Sequence, residues 1–138
     1  MLIFLVITLV LINTPPTLEI DPKMKPYVEE VKKLSKSNIK GIIPILVKPI
    51  KSTALATCHY TAIRYITVDP EKFEYYTEKE KTLILAQELM HCECSMSHDE
   101  KKLDDECPKS VMYPYMPFTW CVDNHWEEYV KEMQEVDC

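Results

Sequence analysis

Apolar positions divide the chain into a short series of elements. Between residues 25 and 36, Tyr27, Val28, Val31 and Leu34 recur at helical spacing, with Glu29, Glu30, Lys32 and Lys33 on the other side. That pattern predicts an amphipathic helix, closed by residues 38–41, which include the chain's single glycine, Gly41. Residues 42–50 are rich in β-branched side chains, but Pro44 and Pro49 confine them to an edge or bent strand. Residues 61–68 predict a second, better strand, ended by Asp69-Pro70. Thr77-Glu78-Lys79-Glu80 has the form of a capping box. The helix it opens runs through Leu83, Ile84, Leu85, Gln87, Leu89 and Met90 to about Cys94. Residues 101–108 form a polar loop. A last helix over 124–136 turns Trp126, Tyr129, Val130 and Met133 inward and Glu127, Glu128, Lys131 and Glu132 outward. This order predicts an α+β domain with a small sheet against the long helix.

The start of the chain has a different character. Residues 1–12 are almost wholly apolar, and Asn13-Thr14-Pro15-Pro16 ends the run. A bilayer span takes about 20 apolar residues, so this stretch is short for one. It fits the apolar core of an export signal, cleaved or kept as an anchor, although no Lys or Arg precedes it and no small-x-small site follows. A buried strand or docking tail is the alternative. Pro15, Pro16, Pro22 and Pro26 then make a stiff linker. The expected organisation is a signal-like segment over 1–16 and a single domain over 17–138.

Composition narrows the class. With 138 residues, 46% hydrophobic and 28% charged, the chain suits one globular domain. A net charge of −6 argues against nucleic acid or an anionic membrane surface as partner. It leaves a peptide or protein partner, with membrane contact only through the N-terminal segment. Six cysteines, Cys58, Cys92, Cys94, Cys107, Cys121 and Cys138, read as a disulfide framework behind a signal-like start. The expected location is periplasmic, secreted, or associated with an envelope or virion. Six cysteines allow fifteen connectivities, and spacing does not choose among them. Cys92 and Cys94, two apart on a helix, point in different directions and need separate partners. Cys107 and Cys121 bracket residues 110–114, and some of the bridges are expected to staple the long helix to that segment. A cysteine-rich zinc site lacks the C-x-x-C pair that would support it.

The chemistry concentrates in Gln87-Glu88-Leu89-Met90-His91, with His98 seven residues further on. Residues four apart lie one turn above each other on a helix face, so positions 87 and 91 can aim at one ion. Glu88 holds the place of a general base that takes a proton from metal-bound water. His98, past the helix end, can supply a third ligand and leave the fourth position to water. Ser110-Val111-Met112-Tyr113-Pro114 has the form of a Met-turn.

These residues resemble a group of small metallopeptidase-like proteins of bacteria and their phages, compact relatives of the metzincins. That family carries H-E-L-G-H-C, a third histidine, and a Ser-Ile-Met-x-Pro turn. The match comprises Glu88, Leu89, His91, Cys92, His98 and Asp99, then Pro108, Ser110, Met112 and Pro114. It covers the half of the chain from Cys58 onward. The departures are Gln87 for the first histidine and Met90 for the glycine. The resemblance implies a zincin-like fold, with His91, His98 and Gln87 around zinc, Glu88 as catalytic base, and Met112 beneath the metal.

An amide oxygen is a poorer zinc ligand than imidazole, so weak or absent zinc is expected unless His59, His125 or Asp99 helps. Two functions follow: a metallopeptidase-like protein with a degenerate zinc site, or a non-catalytic pseudoenzyme whose disulfides replace the metal as staple. A third, a small disulfide-rich inhibitor or immunity factor, would have no cavity around His91. Each residue also has a plain alternative. His91 and Glu88 suit any amphipathic helix, His98-Asp99 suits a surface loop, and Met112 suits a core. His59 reads as structural, and His125 as the start of the last helix.

Overall fold

The computed structural model describes residues 18–138; the segment read as an export signal lies outside them. Helix α1 (Lys25–Leu34) buries Val28 and Val31, as their spacing predicts, and carries Pro26 in its first turn, where no N–H is needed. Past its end, Lys36 and Ser37 adopt positive φ, and Ser35 Oγ accepts from the Ile39 N–H at 3.1 Å. Gly41 has φ +63, and a Cβ there would lie 2.7 Å from Val28 Cγ1. The lone glycine is therefore required twice over, by backbone conformation and by close approach.

Three strands follow: β1 (Ile45–Val47), β2 (Ala56–His59) and β3 (Tyr65–Val68). Their order is β1-β3-β2, with β3 central, parallel to β1 and antiparallel to β2. Ile66 pairs with Ile45 on one side and with Cys58 on the other. β1 is the edge strand that Pro44 and Pro49 allow. β3 begins four residues later than the alternation suggested, because residues 61–64 form the tip of the β2–β3 hairpin. Strand β2 has no sequence counterpart in the prediction. Asp69 then caps α2 (Pro70–Phe73), accepting from the Glu71 and Lys72 N–H groups and, at 2.9 Å, from Ile50 N–H.

Helix α3 (Glu78–Cys92) starts where the capping box places it: Glu80 N–H donates to Thr77 Oγ1 and Thr77 N–H to Glu80 Oε1. Unlike α1, it is buried on nearly every side, and packs on α1, β2 and β3. The predicted last helix is α5 (Trp126–Glu135), with His125 at its start as expected, and a short helix absent from the prediction, α4 (Thr119–Asn124), precedes it; His125 joins them with φ −115 and ψ 18. The C-terminal ends of α1 and α5 cap each other. Gln134 Nε2 donates to Leu34 O at 3.0 Å, and Asn38 Nδ2 donates to the carbonyls of Met133, Gln134 and Val136. The architecture is α+β, a three-stranded sheet with helices packed around α3.

All six cysteines are paired, as Cys58–Cys92, Cys94–Cys138 and Cys107–Cys121. Cys92 and Cys94 do take separate partners. The expected staple between the long helix and residues 110–114 is not what forms. Cys92 reaches the strand beside it, Cys94 reaches the C-terminus, and Cys107–Cys121 closes its own loop. Three disulfides in so short a chain suit an oxidising compartment. No helix among the described residues is long and apolar enough to cross a membrane.

Candidate functional site

The register set by Thr77 turns Ile84, Gln87 and Glu88 of α3 toward one cavity of about 410 Å³. His98 and the 110–117 segment close it, with Leu55 and Ala56 from the entry to β2. Glu88 is only 7% exposed. Burial pushes its carboxyl up to about 7, against the pull of a hydrogen bond from the Cys58 backbone.

His91 is half-buried, and its Nδ1 lies 2.7 Å from Met96 O. A carbonyl only accepts, so Nδ1 carries the proton and Nε2 keeps its lone pair. Burial, more than the neighbouring His98, holds the His91 pKa below its ordinary value, while the Met96 bond opposes that shift. His98 is exposed and meets His91 edge-on, ring centroids 4.6 Å apart. The hairpin tip secures the helix end that presents them. Tyr60 O–H donates to His91 O at 3.0 Å, and Arg64 Nη1 donates to Cys92 O at 2.9 Å and to Ser95 Oγ at 2.8 Å.

The 110–114 turn is held by different means. Ser110 Oγ accepts from the Met112 N–H at 2.9 Å and donates to Glu132 Oε1. Glu132 Oε2 accepts from the Val111 N–H at 2.8 Å. Tyr129 O–H donates to Pro108 O at 2.7 Å, and Asp99 N–H to Met112 O at 3.0 Å. Met112 is buried at the centre of this arrangement. Glu132, expected on the outer face of the last helix, thus points inward at the turn. Burial raises its pKa, and the bonds from Ser110 and Val111 partly offset the rise.

Gln87 belongs to the turn as well. Its Nε2 donates to Val111 O, at 2.9 Å, and to Tyr113 O. Two acceptors fix the amide orientation and use both of its hydrogens. Ligation is left to the amide oxygen alone.

The predicted ligands therefore come near one another without forming a complete donor set. Among the described residues, neither His91 nor His98 belongs to a group of three His, Cys, Asp or Glu atoms within 4.8 Å. A catalytic zinc takes three protein ligands, and two histidines beside a turn-bound amide do not fit that requirement. Asp99 gives the turn its backbone rather than supplying a third ligand. His59 stacks on Tyr65 at 4.2 Å and bonds Thr67 Oγ1 at 2.8 Å, in keeping with a structural residue. His125 faces Asp105 at 2.6 Å, far from the sequence position of the motif. Glu132, Tyr60 and Arg64, each of which shapes the site, were invisible to motif reading; the only local signal was the Cys58 neighbourhood of Tyr60.

Comparison with protein-family models, with curated proteins and with solved structures finds no match to this chain.

Proposed function

We propose that this chain is a zincin-like pseudoenzyme, a disulfide-stapled domain that binds peptide or protein rather than cleaving it. The carrying observation is Gln87, whose amide donates to Val111 O and Tyr113 O. Where the resembled family carries a metal-ligating histidine, this chain carries an amide that ties helix to turn by hydrogen bonds. The cavity supports a binding role, since apolar walls with a few polar groups suit a bound side chain. Tyr115, in the segment that closes it, and Phe118 and Trp120, just beyond, stand exposed, and such aromatic residues are favoured at protein interfaces.

Retained peptidase activity is the second reading. It is favoured by Glu88, a carboxyl held near 7 in the same cavity as His98. Metal analysis and casein cleavage separate the two. The expected result is no zinc and no cleavage in the parent, and zinc uptake in Gln87→His. Chelator-sensitive cleavage by the parent would sink the pseudoenzyme reading.

A further inference from the structure

The cavity between α3 and the 110–117 segment holds a charge that the fold does not use. Glu88 is 7% exposed and accepts a hydrogen bond from the Cys58 backbone. Glutamine would accept the same bond without a charge. Among the described residues Glu88 joins no ion pair. A buried carboxylate is costly to keep, and what makes it tolerable is an opposite charge within reach. The protein supplies none. Among the described residues no lysine or arginine lines the cavity, and the histidine that does, His98, is exposed. Lys72 reaches the neighbouring 50–54 segment, but its ammonium is committed to the carbonyls of Ile50, Ser52 and Ala54.

The walls suit a cation as well. Tyr76, Tyr113, Tyr115 and Tyr129 line the same space, and the face of a tyrosine ring attracts positive charge. Leu55 and Ile84 give an apolar surface of the kind that the methylene stem of a long basic side chain covers. The net charge of −6 draws basic partners toward the chain as a whole. Resting on the binding role proposed for this cavity, we infer that its occupant is a basic side chain, a lysine or arginine of the bound peptide, whose charged end pairs with Glu88. An uncharged side chain of equal length fills the space but leaves the carboxylate alone. An acidic one meets a buried like charge and is excluded. The residue that the resemblance casts as catalytic base is thereby a specificity determinant.

Acetylated and amidated tripeptides Ala-Xaa-Ala, differing only at the central residue, test this on the full disulfide-bonded chain. NMR titration is run at pH 8, where Glu88, titrating near 7, is ionised. The lysine and arginine peptides should bind about thirtyfold more tightly than the norleucine peptide, and the glutamate peptide should not bind. Binding should also shift the amide signal of Cys58, the donor to the Glu88 carboxylate. Glu88→Gln should erase the preference for lysine over norleucine while its amide spectrum remains that of a folded chain. Norleucine bound as tightly as lysine by the parent, or a lysine preference kept by Glu88→Gln, would overturn this inference and leave the binding role standing. If no tripeptide binds the parent, both fall.

Discussion

The 110–114 turn and the histidine pair at the end of α3 are built on different principles. On the turn side, Gln87, Ser110, Glu132 and Tyr129 satisfy backbone groups around a buried Met112. On the histidine side, His98 is exposed and His91 depends on one carbonyl of the loop that follows it. A metal site needs the opposite balance, because ligands must be fixed to fractions of an ångström while the floor only supports them. Here the rigidity lies in the turn rather than in the histidines. That distribution supports the binding role proposed above.

The contrast can be broken most severely at Glu132. Glu132→Ala strands the Ser110 hydroxyl and the Val111 N–H, at a cost of about 3 kcal/mol. Denaturant unfolding should register that loss, and a change below about 0.5 kcal/mol would mean that the turn does not depend on α5. Next comes Glu88, whose carboxyl titrates near 7 in the fold against an ordinary value of 4.5. The folded state holds this proton longer than the unfolded chain, so stability falls as pH rises from 4.5 to 7 and is level above. Glu88→Gln removes that penalty. At about 1.4 kcal/mol per pKa unit, it should stabilise the protein at pH 8 by up to about 3 kcal/mol. The gain should vanish below pH 4.5; thermal melts across that range that run parallel would refute it. The smallest effects sharpen the comparison directly. Gln87→Ala should cost about 2 kcal/mol through two abandoned carbonyls, whereas His98→Ala should stay within about 0.5 kcal/mol. Equal losses in the two variants would erase the distinction between turn and histidines.

Local chemistry was legible in the sequence where neighbours along the chain decide the structure. The Thr77–Glu80 capping box and the inward face of α1 needed only residues three or four apart. Strand β2 escaped because Ala56-Thr57-Cys58-His59 has no alternation and is half-buried throughout. It is a strand because β3 pairs with it and Cys92 bonds to it. Helix α4 escaped because six residues are too few to show a helical period. Glu132 was misplaced because its partners Ser110 and Val111 are more than twenty residues away. The motif residues were found by pattern, but what Gln87 does depends on carbonyls 24 and 26 residues downstream.

The mutual capping of α1 and α5 has a consequence for how the molecule is made. Gln134 closes the end of the first helix across 100 residues of chain. On a ribosome, the first helix emerges about 100 residues ahead of the side chain that caps it. Contacts of such long sequence separation form slowly, because loop closure precedes their reward. The end of the first helix is therefore finished late in folding, after the chain between the two helices has been made.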